Sequence, residues 1–457
     1  MKKKIALVLT MAMLGSCLAG CGQNAADDSA SAEQKESTAV AQSTEAAQGT
    51  EAGEKEWFGT DDGKTVTIRL WGGVQPEYGY DEVCANFNEQ YKDKGVQVEY
   101  VRYVNDSSGN LQLETYLMGG GDVDLFFGYG GRSKLDKRVE SNLLLDMSGM
   151  LKDYGFDLET ELGESNMLDY KYDDGSVYGF PTKYENARWL MINEDMFKEA
   201  GIDIPYDGWT YSEFLSAVEK LTHGEGQDKV YGLCWSRKQN SRYVQLMLNS
   251  VLGSYQSYKN DEGTEVNFDN KVYHDGFEMV MKTLDNGWAI PIEDEYSEDL
   301  SVANTFLEGK CAITLGIPMM RLCMDQENYP HDFVTALVPA PVPDDEQYNT
   351  EFYRTHAGTP GAGDLMCIAA NTKYPEACFE FAMWYLKGGM APLVKGGRVP
   401  LWNGIDKEAV LDVLKANAEG SIDLESMNNY LSVDRTQGVK TVQGLSLIHI
   451  SEPTRLG

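Results

Sequence analysis

The sequence has little positive charge and little histidine. Its 457 residues include 39 lysines and arginines against 72 aspartates and glutamates, which gives a formal net charge of −33. The longest basic run is Lys2–Lys4 at the start of the chain. So acidic a surface repels phosphate, which argues against nucleic acid as a partner. The 5 histidines form no His-Glu-x-x-His run or comparable ligand spacing, so we expect neither a metal nor a cofactor.

Motifs for common enzymatic chemistry are also missing. The sequence contains no Gly-x-Ser-x-Gly elbow, and Gly361-Ala362-Gly363 lacks the later glycine of a nucleotide-binding loop. Hydrophobic residues nevertheless make up 42% of the chain and aromatic residues 11%, enough for sizeable cores. The length allows two or three folded domains, and acyl transfer and nucleotide use have no motif to support them, so we expect a protein that is not an enzyme.

The first 56 residues have the pattern of an exported and tethered protein. Lys2–Lys4 precede an apolar run, Ile5 to Leu14, that is too short to span a bilayer. The following Leu18-Ala19-Gly20-Cys21 resembles the lipobox of bacterial lipoproteins, which implies that residues 1–20 are removed and that Cys21 receives a diacylglyceryl group. Residues 21–56 have almost no apolar side chains and cannot form a core, so they are interpreted as a disordered tether.

Residues 445–457 are not expected to be part of the fold. Residues 445–457, from Leu445 to Gly457, resemble the translated read-through of a sequencing adapter. We expect the natural C-terminus to be missing.

Strand and helix patterns alternate between these ends. Val66, Ile68 and Leu70 alternate as in a strand, a helical pattern ends before Gly95, and further strands are predicted at Val96 to Tyr100 and Val123 to Phe127. The second half repeats this order, with Asn193 and Thr210 as expected N-caps. Because alternating strands and helices favour a mostly parallel sheet covered on both faces, we predict an α/β protein of two lobes.

Four motifs in the expected order resemble the extracellular solute-binding proteins of ABC importers, in particular their sugar-binding group. The motifs are Gly121-Asp122-Val123-Asp124, Tyr178-Gly179-Phe180-Pro181, the run Leu190 to Leu221, and Phe306 to Ile313. The resemblance implies two lobes of a periplasmic-binding-protein-like fold that close around a carbohydrate and deliver it to the transmembrane subunits of an ABC permease. It further implies an extracellular location, with the chain held on the cytoplasmic membrane through Cys21.

The resemblance also implies that the chain passes between the lobes more than once. Lobe I is expected to comprise residues 57–183 and a return segment, 356–390. Lobe II is expected to comprise residues 184–355 and a truncated return segment, 391–444.

Candidate ligand-binding residues follow the predicted strands, because ligands of open α/β sheets bind beyond the carboxyl ends of the strands. Aromatic rings there offer faces to sugar C–H groups, and polar side chains offer hydrogen bonds to hydroxyls. Glycines lie beside Trp71 and Tyr129 in the sequence, which predicts that a ligand can approach the backbone closely there. The candidates are Trp71, Tyr129, Tyr184, Glu185, Trp235, Arg237 and Gly316. Trp209 and Trp384 are assigned to cores.

Two other functions fit the sequence less well. The same fold could bind a polyamine or a peptide, which would require several acidic side chains in the cleft. A secreted carbohydrate-active enzyme would require two facing carboxylates. No cluster of Arg or Lys follows a predicted strand, so the expected cargo is a neutral carbohydrate. The cysteines at positions 84, 234, 311, 323, 367 and 378 are expected to be buried free thiols.

Overall fold

The computed structural model describes residues 57–104, 107–167, 170–184, 189–234, 251, 269–291, 293–294, 302–315, 320–356 and 362–433. The strands are β1 (Val66–Gly72), β2 (Val96–Arg102), β3 (Leu125–Gly128), β4 (Phe180–Tyr184), β5 (Leu190–Asn193), β6 (Tyr231–Cys234), β7 (Cys311–Leu315), β8 (Thr335–Val338) and β9 (Ala362–Ile368). They form two sheets, as the predicted α/β fold with two lobes requires.

The first sheet has the strand order β2-β1-β3-β9-β4. β1 pairs in parallel with β2 and β3, whereas β9 is antiparallel to β3 and β4. The second sheet has the order β6-β7-β5-β8, in which β6 and β7 are parallel and β5 is antiparallel to both β7 and β8. We call the part built on the first sheet lobe I and the part built on the second sheet lobe II. The residue boundaries predicted for the lobes stay a prediction.

Helices connect the strands. The helices are α1 (Tyr80–Tyr91), α2 (Ser107–Met118), α3 (Gly131–Glu140), α4 (Ser148–Tyr154), α5 (Leu158–Leu162), α6 (Glu164–Met167), α7 (Glu194–Glu199), α8 (Tyr211–Leu221), α9 (Lys271–Asp285), α10 (Val302–Leu307), α11 (Met320–Met324), α12 (Glu351–His356), α13 (Pro375–Trp384), α14 (Lys407–Ala418) and α15 (Leu424–Ser432). None of these described helices combines the length and the apolar character needed to cross a bilayer.

Both predicted N-caps are confirmed. The Asn193 side chain accepts a hydrogen bond from the backbone N–H of Met196 at the start of α7. At α8, the Thr210 hydroxyl accepts from the N–H of Glu213 while the Glu213 carboxylate accepts from the N–H of Thr210. Each cap satisfies helical N–H groups that have no partner within the helix, so the sequence determines locally where these two helices begin.

Apolar cores lie on both faces of the second sheet. In β5, Leu190 and Ile192 belong to one buried cluster, while Met191 and the preceding Trp189 belong to another. Strand side chains alternate between faces, so a strand buried on both sides reads as a continuous apolar run. Trp209 is buried, as predicted, and its indole N–H donates to the Pro339 carbonyl at 2.9 Å.

Trp384, the second tryptophan predicted to lie in a core, is only half-buried. Its ring packs edge-on against Phe87, and its indole N–H donates to the Gln90 side chain at 2.7 Å. An indole on the rim of the core keeps a polar partner for its N–H group, which explains why its burial is incomplete.

The prediction of free cysteines is wrong for two of the six. Cys234 at the end of β6 and Cys311 at the start of β7 form a disulfide, with their Cα atoms 6.1 Å apart. The two strands are neighbours in the second sheet, a pairing across 77 residues that the sequence did not reveal. The remaining four are free and buried, as predicted: Cys84, Cys323, Cys367 and Cys378.

Candidate ligand-binding site

The strand directions bring the candidate positions to one edge of each sheet. In lobe I the carboxyl ends of β1, β3 and β4 lie at the same edge as the amino end of β9. In lobe II the carboxyl ends of β6, β7 and β8 share an edge with the amino end of β5. Four candidates on chain segments adjoining these ends, Glu185, Trp235, Arg237 and Gly316, lie outside the described residues.

Trp71 does not present its ring to a cleft, so its predicted role is corrected. The side chain is 4% exposed, and its ring centroid lies 4.9 Å from that of Tyr116 in α2. Its indole N–H donates to the Asp122 carbonyl at 2.9 Å. Trp71 is therefore a core residue of lobe I.

The glycine beside Trp71 makes room for a tyrosine and not for a ligand. A Cβ atom added at Gly72 would lie 2.4 Å from the Tyr100 hydroxyl. That hydroxyl donates to the Val74 carbonyl at 2.7 Å and accepts from the Val74 N–H at 3.2 Å. Tyr100 in β2 thus fixes the turn that follows β1. The group that closely approaches Gly72 is the Tyr100 side chain and not a ligand.

Tyr129 and Tyr184 lie at the lobe I edge. Tyr129 follows β3 and is half-buried, with its ring centroid 6.1 Å from that of Tyr103. Its hydroxyl accepts a long hydrogen bond, 3.5 Å, from the N–H of Gly73. Burial and the nearby Asp364 carboxylate raise the pKa of Tyr129 well above its usual value, so the hydroxyl stays protonated and able to donate. Tyr184 ends β4 and is also half-buried; its backbone N–H donates to Val399.

A buried ionic cluster lies beside these tyrosines. The Asp364 carboxylate accepts from Arg398 Nε at 3.1 Å and lies 3.8 Å from Lys183 Nζ. The side chains of Lys183, Asp364 and Arg398 are 5%, 4% and 13% exposed. Burial acts to raise the pKa of Asp364, but the charges of Lys183 and Arg398 outweigh it and hold the pKa below the usual value. Asp364 is therefore an anion held between two cations.

Sequence reasoning missed this cluster. Lys183 is the one charged residue of β4, and this charge was the one local signal available. Asp364 has a φ of 50°, a left-handed conformation unusual for any residue but glycine. Arg398 arrives from 34 residues further along, where the chain returns beside β4. The separation of the three residues in sequence hides their contact.

Tyrosine rings line the same region. Tyr80 at the start of α1 stacks on Tyr100 with centroids 4.3 Å apart, and the Arg398 guanidinium lies 5.8 Å from the centre of the Tyr80 ring. Burial raises the pKa of Tyr80 to about 12. Tyr385 is fully buried nearby, and burial raises the pKa of its hydroxyl well above its usual value. Tyr80 and Tyr385 thus belong to the lobe I core behind the edge, and the edge itself carries the half-buried Tyr129 and Tyr184 beside the cations.

A third cation, Arg321, reaches this region from lobe II. Arg321 belongs to α11, and its guanidinium carbon lies 4.9 Å above the centre of the Tyr78 ring, just after β1 in lobe I. The Tyr78 hydroxyl donates at 3.1 Å to Asp325, the residue directly after this helix. These contacts join a short 3₁₀ helix of lobe I, Pro76–Tyr78, to α11 of lobe II.

The arrangement is suited to holding a polar ligand. Tyrosine faces, hydroxyl donors and guanidinium groups recognise hydroxyls or an acidic group through hydrogen bonds and ring packing. Among the residues that the structure describes, no group of three or more His, Cys, Asp or Glu side chains is arranged to hold a metal ion.

The comparison with known families agrees with this geometry. The sequence profile described as "Bacterial extracellular solute-binding protein" matches residues 72–387. The chain belongs to this family. The matched segment runs from the last residue of β1 to just beyond α13, and so includes the strands β2 to β9 in full.

Solved structures show the same fold. An ABC substrate-binding protein from Listeria monocytogenes in complex with cycloalternan is 19% identical, with a TM-score of 0.61 over 80% of this chain and 87% of that one. A sugar transporter protein from Rhizobium etli in an open conformation is 18% identical, with a TM-score of 0.58 over 80% and 87%. A cyclic α-maltosyl-1,6-maltose binding protein from Arthrobacter globiformis is 16% identical, with a TM-score of 0.57 over 80% and 87%.

Proposed function

We propose that this solute-binding protein is a carbohydrate receptor that delivers its ligand to an ABC permease. The observation that carries the proposal is the edge of lobe I, where Tyr129 and Tyr184 lie beside the Lys183–Asp364–Arg398 cluster. A sugar site requires aromatic rings that pack against the C–H faces of the sugar, next to charged groups that donate hydrogen bonds to its hydroxyls. Two of the similar structures carry the names of oligosaccharide ligands, which supports the same cargo class here.

The charges of the described edge speak against a polyamine. A polycation would need several carboxylates converging on the site. Here Lys183 and Arg398 already pair with the one buried carboxylate, Asp364, and a further cation, Arg321, lies over the Tyr78 ring. This distribution supports a hydroxyl-rich or acidic ligand.

The proposed mechanism is closure of the two lobes around the ligand. The chain passes from β4 in the first sheet to β5 in the second, and returns to the first sheet at β9. Strands that cross between lobes can act as a hinge, and hinge closure is a common mode of domain motion. The closed form would then present both lobes to the permease, while Cys21 and the tether hold the protein at the outer face of the cytoplasmic membrane.

The cargo class can be tested by thermal shift on the purified chain with a panel of mono- and oligosaccharides, and with spermidine and short peptides as the competing classes. A ligand that binds only the folded state stabilises it by RT ln(1 + [L]/Kd), about 2.7 kcal/mol at a hundredfold excess over Kd. We expect stabilisation by an oligosaccharide. Stabilisation by spermidine or a peptide alone would refute the proposal.

The location of the site is tested by Tyr129→Ala. Loss of a buried aromatic contact at the centre of a site should weaken the affinity for the identified sugar by on the order of 2 kcal/mol, about thirtyfold. Tyr154→Ala is the matched control, because Tyr154 in α4 is 45% exposed and lies outside the described edge. Equal affinities of the two variants would place the site elsewhere.

The anchor is tested by Cys21→Ser. Without the thiol no diacylglyceryl group can be attached, so the protein should move from the membrane fraction to the soluble fraction of the expressing cells. Retention in the membrane fraction would contradict lipidation at Cys21.

A further inference from the structure

Arg321 is a partly buried cation with no carboxylate of the described residues in ion-pair contact. Its Nε atom is fully buried and has no hydrogen-bond partner. No carboxylate of the described part of the chain lies within 4.0 Å of its guanidinium, although Lys183 and Arg398 both have such a partner in Asp364. Its contact with the Tyr78 ring is to an aromatic face and not to an anion.

The carboxylate of Asp325, the residue directly after α11, is already engaged. Asp325 accepts from the Tyr78 hydroxyl at 3.1 Å, and from the backbone and side-chain N–H groups of Asn328 at 3.2 and 3.0 Å. These contacts orient Asp325 toward Tyr78 and Asn328. Arg321 is thereby left without an ion pair to Asp325.

Arg321 lies next to the ionic cluster and not on a separate surface. A Cβ atom added at Gly397 would lie 3.0 Å from the Met320 sulfur, so the chain before Arg398 contacts the residue before Arg321. The two guanidinium groups also lie over tyrosines only two residues apart, Tyr78 and Tyr80. The two cations therefore share one environment, in which burial and then the positive charge of Arg398 lower the pKa of Arg321.

A guanidinium whose Nε atom is buried and unpaired is unfavourable, because the hydration that this atom has lost is not replaced by a partner. A ligand that supplies the anion removes this penalty on binding. A carboxylate matches the planar fork of a guanidinium through two parallel hydrogen bonds.

We propose that Arg321 binds a carboxylate of the ligand, so that the cargo is a uronic-acid-containing carbohydrate. This inference rests on the proposed carbohydrate-binding function and names the sugar class. It also replaces the expectation of a neutral cargo, whose premise was that no cations gather at a strand end. The structure gathers Lys183, Arg398 and Arg321 there.

Isothermal titration of the purified chain tests the assignment. The probes are di- to tetrasaccharides that contain galacturonate or glucuronate, each paired with its carboxyl-reduced counterpart, together with neutral malto-oligosaccharides and a sulfated disaccharide. We expect an acidic sugar to bind about ten- to a hundredfold more tightly than its reduced form, the worth of a charge-assisted contact. Arg321→Gln should remove this difference, and Arg321→Lys should keep part of it.

Two controls separate recognition from folding. Arg321→Gln should keep or raise the melting temperature, because it removes an unpaired and partly buried charge. Arg354→Gln should leave the preference for acidic sugars unchanged, because Arg354 pairs with Glu213 at 3.1 Å in another part of lobe II. A lower melting temperature of Arg321→Gln with an unchanged preference would make Arg321 a structural residue and overturn the inference.

The remaining outcomes distinguish the inference from the function on which it rests. Binding of neutral sugars as tight as that of uronates overturns the inference and leaves the carbohydrate receptor intact. Binding of the sulfated disaccharide alone also overturns the assignment to a carboxylate. If no carbohydrate binds, the proposed function fails and the inference fails with it.

Discussion

Asp364→Asn is the substitution that most directly probes the ionic cluster. Asparagine keeps the size of the side chain but removes the charge that Lys183 and Arg398 share at 3.8 and 3.1 Å. Breaking a buried ion pair by removing one partner destabilises a protein by about 3–5 kcal/mol, because the remaining charge stays buried. At about 2–4 °C per kcal/mol, the melting temperature should fall by roughly 6–20 °C.

The matched control is Asp122→Asn. Asp122 pairs with Arg69 at 3.1 Å, but its side chain is 77% exposed. An exposed pair contributes about 0–1 kcal/mol, so its loss should change the melting temperature by no more than a few degrees. Equal melting temperatures of the two variants, measured without ligand at pH 7, would show that burial does not make the Asp364 pairs stronger.

The pH dependence gives a second measurement on the same variant. Because the pKa of Asp364 is lowered in the folded chain, its contribution is fully present above the unfolded value, about 3.9, and is lost as the pH falls through the folded value. The difference in melting temperature between the parent chain and Asp364→Asn should therefore be constant from about pH 5 to 8 and shrink only in acid. A difference that shrinks between pH 5 and 8 would contradict the direction of the shift.

Three further predictions concern the cores. Trp71→Ala should lower stability by about 3–5 kcal/mol in the absence of ligand, as for a core truncation, and a melting temperature close to that of the parent would return Trp71 to the list of cleft residues. Gly72→Ala should destabilise the protein by about 1–3 kcal/mol, because the added Cβ would meet the Tyr100 hydroxyl. Gly149→Ala is the control and should leave stability unchanged or raise it, because no atom lies within 4 Å of the added Cβ. Equal stabilities of the two variants would refute the packing argument. Iodoacetamide at pH 8 should leave the four free cysteines unmodified in the native protein, because burial raises the pKa of each: Cys84, Cys323 and Cys367 to about 12, and Cys378 also upward. Mass spectrometry that finds them labelled without denaturant would contradict their burial.

The fold was predictable from local pattern, whereas the site was predictable only in part. Alternation in Val66 to Leu70 and the caps at Asn193 and Thr210 depend on neighbours within a few residues, and the structure confirms them. The Trp71 prediction failed because Gly72 indicates that some group lies close to the backbone, but not whether that group is a ligand or, as here, the Tyr100 side chain.

The ionic cluster could not be predicted for a related reason. Lys183 and Asp364 are 181 residues apart, and no local pattern couples a lysine in one strand to an aspartate in another. Arg321 adds a group from the other lobe, placed by the contact of Met320 with Gly397. Contacts of this kind depend on the packing of the complete fold, which a single sequence does not display.

The position of β9 has a consequence for the order in which the protein forms. β9 lies between β3 and β4, so the first sheet cannot be continuous until residues 362–368 are available. Until then β3 and β4 each keep an unpaired edge, and strand edges of that kind invite pairing with other chains. The long loop that must close before these contacts form also slows folding. Lobe I, which contains the N-terminal strands, is therefore completed only after the strands of lobe II have been synthesised, and a chain that ends before residue 362 would be prone to aggregate through lobe I.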